Sequence, residues 1–254
     1  SVNFPSNKSK HLSPEQTEEF GRRVDQIRRE VMDRLGEQDA KYIYKIRNFV
    51  RYSEIASRGM LMFGGWIPPV WVIGTGLLGI SKIVENMELG HNVMHGQFDW
   101  LNDPSLNGAN YDWDTMSSGD DWKYTHNYLH HTYTNIVGKD HDVGYGLLRV
   151  SESQKWEPRF LFNIPLAIQL MVFFEWYVGV QNLHLEDALI YKTKTWKQVW
   201  ADAAKFRKKV RRQVLKDYLF FPVIAGPNAL PVFVGNAVAN VIRSLWSSAV
   251  IFNG

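Results

Sequence analysis

Apolar and polar positions along the chain fall into helical stripes and long, nearly uncharged runs. In EQTEEFGRRVDQIRREVMDRLG the apolar residues Phe20, Val24, Ile27, Val31 and Leu35 recur at intervals of three and four, which puts their side chains on one face of a helix. Ser13, Pro14 and Gln16 supply an N-cap and first turn, and Gly36 ends the segment. The stripe predicts a face turned toward a core. Over residues 41–63 the pattern stays helical, but Arg47, Arg51, Glu54 and Arg58 share one face. That suits a helix on a membrane surface, or a compromised first leg of a hairpin.

Residues 59–80 run 22 positions without a charge, enough to cross a hydrocarbon core of about 30 Å. The Gly64-Gly65 and Pro68-Pro69 pairs break the run near one end. A hairpin turning there leaves 66–87 as the span, with Trp66 and Trp71 as interfacial anchors. Residues 98–122 are dense in Asp, Asn, Gly and Trp and lack hydrophobic period, which predicts a loop. Residues 160–183 are apolar except for Glu175 and are interrupted by Pro165. Ten basic residues follow between Lys192 and Lys216, and the positive-inside tendency places them in the cytoplasm. With both flanks cytoplasmic, 160–183 is expected to lie along the interface or re-enter. Residues 218–225, a turn at Gly226, Pro227 and Pro231, and the run 232–252 with Arg243 as its one charge predict a second membrane hairpin.

Composition narrows this picture. A length of 254 residues with 45% hydrophobic residues and a mean hydropathy of −0.28 fits one membrane bundle with a soluble cap, about half of it wet. A net charge of +3, segregated along the chain, gives no sign of nucleic acid as a partner. The absence of cysteine excludes disulfides, thiolate zinc sites and iron–sulfur clusters on this chain. Electrons for any redox chemistry must then come from a partner. Residues 1–40 contain no signal-peptide pattern, so the N-terminus is expected in the cytoplasm.

Five of the eight histidines fall in two groups, HNVMH with His91 and His95, and HNYLHH with His126, His130 and His131. On a helix, residues four apart share a face, so each group aims two imidazoles at one point. Imidazole suits iron, zinc, copper or nickel, and two spaced groups 30 residues apart outweigh the ordinary reading of single histidines as core or surface residues. A zinc peptidase would carry HExxH; here Asn92 and Asn127 take the glutamate's place. Glu88 precedes His91 at ExxH spacing, as in soluble ferritin-like bundles, but no second ExxH exists. Glu85 and Glu88 fit either acceptors that orient imidazole N–H groups or a plain helix face. Asp99, Asp112, Asp114, Asp120 and Asp121 offer the same role or are solvated, and Trp100, Trp113 and Trp122 either cover the site or pack in the core.

The boxes GHNVMHGQ and HNYLHHTYTN, followed by DVGYG, resemble the membrane fatty acid desaturases with histidine-box, non-haem di-iron centres, in particular the bacterial stearoyl-CoA type. The resemblance extends through KIVENMELGHNVMHGQFDWLNDP, YTHNYLHHTYTNIVGKD and NVIRSLWSSAVIF, and so covers about residues 41–254. It implies an all-α fold of transmembrane helical hairpins with a cytoplasmic helical cap carrying the histidine boxes. Residues 1–40 would be a cytoplasmic N-terminal helix and 41–254 the desaturase domain. It also implies two non-haem iron ions held by His91, His95, His126, His130 and His131, with O2 as co-substrate. A long-chain acyl-CoA or acyl lipid would be the substrate, an external flavin reductase or ferredoxin the electron donor, and a lipid bilayer the setting, with the active site on the cytoplasmic side. Such enzymes carry a further histidine and a third box of the QxxHH type. Neither is in this chain, which is therefore expected to be incomplete at its C-terminus. Two six-coordinate irons want on the order of eight or nine histidines, and His11, His141 and His184 are the only others here. The alternatives are a fatty acyl or alkane hydroxylase on the same scaffold, a haem protein with paired axial histidines, and an inactive fragment that binds metal or lipid.

Overall fold

The computed structural model describes residues 12–140, 142–181, 183, 185–189 and 192–253, and every regular element among them is helical. His11, His141 and His184 lie outside the described residues. The order is α1 (Pro14–Arg34), α2 (Glu37–Gly64), α3 (Pro68–Ile83), α4 (His91–Met94), α5 (Gly119–Trp122), α6 (His131–Tyr133), α7 (Asn163–Val172), α8 (Phe174–Gln181), α9 (Leu185–Leu189), α10 (Trp196–Asp202), α11 (Ala204–Gln213), α12 (Phe221–Ile224) and α13 (Ala229–Asn253). π-Helical turns at Val84–Gly90, Lys123–His130 and Val214–Phe220 join some of these into longer rods. The chain divides into two compact units, residues 1–44 and 45–254, with α2 contributing to both.

In the first unit, α1 begins with a capping box. The Gln16 amide donates to Ser13 Oγ at 3.2 Å, and the Ser13 amide donates back to Gln16 Oε1 at 2.9 Å, which satisfies two of the donors a helix start leaves open. The predicted core-facing stripe finds no partner within its own unit. Phe20, Val24, Ile27 and Val31 are all exposed and α1 buries no residue, because the period fixes which side chains share a face but not what covers it.

The second unit buries apolar clusters, Leu61, Leu78, Val232 and Ala239 among them, together with a set of paired charges. Arg47 and Arg58 of α2 turn inward: Arg47 pairs with Asp103 at 3.2 Å, and Arg58 pairs with Glu54 at 2.9 Å and Asp217 at 3.1 Å. Arg51 stays exposed, while Phe49, Tyr52, Ile55 and Phe63 face outward. The charged line of α2 is therefore divided, Arg47 and Arg58 turned to interior carboxylates and Arg51 and Glu54 toward the outside. Asp217, fully buried in the third π turn, also meets Lys82 at 2.9 Å and accepts from Asn240 at 3.3 Å. Lys82 reaches Asp114 at 3.4 Å, and Lys216 joins the same carboxylate. Buried charges persist only when paired, and here each has at least one opposite partner.

Helices α3 and α13 pack closely because small residues face the contact. A Cβ on Gly79 would come within 2.9 Å of Ile242 Cγ2, and in the turn before α3 one on Gly65 would come within 2.5 Å of the Leu61 carbonyl and 2.9 Å of Pro231. Trp66 and Trp71 donate their indole N–H groups to the Pro227 and Pro231 carbonyls, each at 2.9 Å, so these two rings tie one hairpin to the next.

Among the described residues, one helix is long and apolar enough by itself to cross a bilayer, Gly226–Ile251. The expected span 66–87 is helical from Pro68 through α3 into the π turn Val84–Gly90, with Lys82 and Glu85 in its last turns, and does not qualify. Residues 160–181 are bent by 98° between Val172 and Phe174, which excludes the straight crossing and agrees with a segment that turns back. The predicted loop at 98–122 holds only short 3-10 turns before α5.

Candidate metal centre

Both histidine groups are delivered by π turns. In the first, the His91 amide donates to the Asn86 carbonyl, five residues back, and α4 then brings His95 round one turn later with its amide on the His91 carbonyl at 3.1 Å. A Cβ on Gly90 would stand 2.9 Å from the Glu85 carbonyl and 3.2 Å from the Tyr111 ring, so the residue before His91 must be small for the loop to close over it. The second group starts from Ser118, whose Oγ accepts from the Asp121 amide at 3.2 Å and so caps α5. The π turn that follows carries His126 and His130. Such turns recur where a helix must re-aim side chains.

The two asparagines standing where a zinc peptidase has glutamate have other work. Asn127 Nδ2 donates to the Met94 carbonyl at 2.9 Å, fastening the second box to the first, and Asn92 Nδ2 donates to the Glu88 carbonyl at 2.7 Å.

The five predicted imidazoles converge. His91 Nε2 and His95 Nε2 are 3.1 Å apart. Two nitrogens each about 2.1 Å from one ion and at a right angle would be about 3.0 Å apart, so this pair fits adjacent ligands of a single metal. Ligand atoms of His91, His95 and His126 lie within 4.8 Å of one another, as do those of His126, His130 and Asp142, so His126 belongs to both groups. The exposed His131 ring stands 5.0 Å from those of His95 and His126. Burial and the neighbouring histidines push His91 and His95 down to about 4, which keeps them neutral, the form that binds metal.

Carboxylates hold the second group from behind. Asp140, buried, accepts from His130 Nδ1 at 2.9 Å and from the Asn135 amide at 2.8 Å. Asp142 lies 3.6 Å from Nδ1 of both His126 and His130. Since these contacts use Nδ1, they leave Nε2 free, and Asp142 fits an acceptor that orients two rings better than a ligand. Sequence reasoning singled out neither residue for this role. The available signal was two aspartates two apart in a turn directly after the second box.

The other predicted partners sit differently. Glu85 accepts from the Tyr111 hydroxyl at 3.1 Å and the Asp114 amide at 3.3 Å. Asp121 accepts from Ser118 Oγ at 2.6 Å and faces Lys205 at 3.8 Å. Glu88 precedes His91 in the first π turn, where its carbonyl holds Asn92. Their recorded contacts thus brace the helices and the loop that carry the imidazoles. Trp122 stacks on His126 and Trp113 packs on Trp122 at 5.1 Å, so two of the three loop tryptophans wall the centre. Trp100 does not reach it. A cavity of about 370 Å³ opens beside the histidines, lined by His91, His126, His130, Trp113 and Trp122, and on its other walls by Phe174, Glu175, Val178 and Arg243.

A helical bundle in which histidines from two π turns meet beside a largely apolar cavity forms a candidate histidine-rich metal site. Residues 64–254 match the fatty acid desaturase family, and the chain belongs to that family. It is 43% identical over 249 residues to the NADPH-dependent stearoyl-CoA 9-desaturase of Mycobacterium tuberculosis, covering 96% of this chain and 58% of that one. It is 33% identical over 129 residues to an sn-1 linoleoyl-lipid 6-desaturase of Synechocystis, covering 49% of this chain and 35% of the relative. The chain thus spans about three-fifths of the length of the mycobacterial relatives. No solved structure matches it.

Proposed function

We propose that this protein is an O2-dependent fatty acyl desaturase that introduces a double bond into a long-chain saturated acyl-CoA or acyl lipid. The observation that supports it most is the convergence of His91, His95 and His126, whose ligand atoms lie within 4.8 Å of one another beside one cavity. His91, His95, His126, His130 and His131 are the proposed iron ligands. Two iron ions held there would supply the power to remove hydrogen from an unactivated methylene pair, which no side chain has. The chain's own residues do the rest. Asp140 fixes the His130 tautomer, Trp122 and Trp113 keep water from the ligands, and Glu85 and Glu88 steady the turn that presents His91.

With no cysteine in the chain, electrons come from an external donor, a flavin reductase or ferredoxin. The protein is placed in the membrane as a multi-pass bundle with its site on the cytoplasmic side. Residues 1–40 form a cytoplasmic N-terminal helix and 41–254 the desaturase domain. The outward apolar faces of α2, α3, α12 and α13 and the basic run 192–216 support that placement.

The test is iron and zinc content per polypeptide in detergent-purified protein, with product analysis from labelled stearoyl-CoA. Iron with an unsaturated product is the expected result. A hydroxylated product moves the assignment to hydroxylation, and zinc in place of iron overturns it.

A further inference from the structure

Two charges interrupt otherwise uncharged stretches of this sequence, Glu175 within 160–183 and Arg243 within 232–252, and in the fold they meet. Arg243 Nη2 pairs with Glu175 Oε2, while Nη1 donates to the Asp114 carbonyl at 2.6 Å. Both residues are buried, at 2% and 7% exposure. Glu175 follows the 98° bend by two residues, so the pair anchors the returning limb α8 against α13. Both side chains line the cavity that His91, His126 and His130 also line, between the apolar walls of Phe174 and Val178. Arg243 Nε is buried without an acceptor.

Building on the acyl reading, we infer that the Glu175–Arg243 pair is the polar stop that sets the longest chain this cavity accepts. An alkyl chain enters because each buried methylene gains free energy. That gain ends where the next methylene would press on a buried, hydrogen-bonded ion pair, whose groups are costly to separate. The carrier cannot be the end that meets the pair. Arg243 and Glu175 show only 2% and 7% of their surface, too little for a bulky polar carrier to grip, so we take the slim methyl end of the chain to be what arrives there. A substrate with a hydroxyl on its terminal carbon, by contrast, could donate a hydrogen bond to the Glu175 carboxylate at the cavity wall.

The test is ligand-induced change in Tm on detergent-purified, chelator-treated protein, with saturated acyl-CoAs of increasing length from myristoyl to behenoyl. In the unmodified protein the rise in Tm should grow with length and then stop. In the double variant Glu175→Leu with Arg243→Met, which removes both charges together, it should continue past that limit, each further methylene tightening binding about fourfold. The same limit in both proteins overturns the inference and leaves the acyl reading intact. No rise with any acyl-CoA in either protein overturns the acyl reading itself. A second measurement needs no variant: at the limiting length, the ω-hydroxy acyl-CoA should bind the unmodified protein at least as tightly as the plain chain, and two carbons shorter at least tenfold more weakly. A tenfold loss at the limiting length also overturns the inference.

Discussion

Trp122 lies flat against His126, their ring centroids 4.4 Å apart and their planes 19° from parallel. The indole also meets His91 edge-on at 5.2 Å, so one buried ring touches both histidine groups. Replacing it with alanine should cost about 3–5 kcal/mol of stability and lower iron per polypeptide, whereas Trp122→Phe should keep most of both. Thermal melts with metal analysis on the two variants check this, and equal iron in both would refute the covering role.

Asp140 is the acceptor that decides which nitrogen of His130 is bare. Asp140→Asn should lower metal affinity about 10- to 100-fold with helix content unchanged, because the amide can still receive one of the backbone donors. Competition with a metal chelator, followed by circular dichroism, separates the two effects.

Acid stability should depend on Asp114. Burial opposes its charge, yet Lys82, Lys216 and Arg243 hold its carboxyl well below the usual carboxylate range. A depressed carboxylate contributes stability above its unfolded value of about 3.9 and loses that contribution as pH falls through the lower folded value. Melting temperature should therefore fall steeply only below about pH 4, and Asp114→Asn should be less stable at neutral pH with a shallower acid limb. Parallel limbs in the two proteins would rule this out.

Asp217 tests the inward charges of α2 and α3. Its removal as Asp217→Ala leaves Arg58 with Glu54 and Lys82 with Asp114 as their remaining carboxylates and should cost about 1–3 kcal/mol. The double change Asp217→Leu with Lys82→Met should cost less than the single one, since it removes one under-paired cation along with its partner. Denaturation of the two variants under one detergent condition decides the order.

What could be read from the sequence was what depends on near neighbours. The histidine boxes, the Ser13 cap and the Gly-Pro break between α2 and α3 are all set within a few residues, and they stand where the spacing put them. The inward turn of α2 could not be read that way. Arg47 and Arg58 find Asp103 and Asp217, 56 and 159 residues further on, and a charged line looks the same whether its partner is water or a distant carboxylate. The aspartate-rich loop was hidden for the same reason: Asp112 and Asp114 are partners of Lys209 and Lys216, drawn from a basic run that reads as a solvated face. The π turns were equally invisible to a 3.6-residue period, because the extra residue re-aims the helix without altering its composition.

The inward charges of Arg58, Lys82, Asp217 and Arg243 lie among apolar clusters, while rings and branched chains of α2 and α3 face outward. In the bilayer setting proposed above, opening such a bundle would uncover little apolar surface to water, and apolar hydration is what gives unfolding its large heat capacity. Its stability curve against temperature in that setting should consequently be nearly straight, with no cold-side decline.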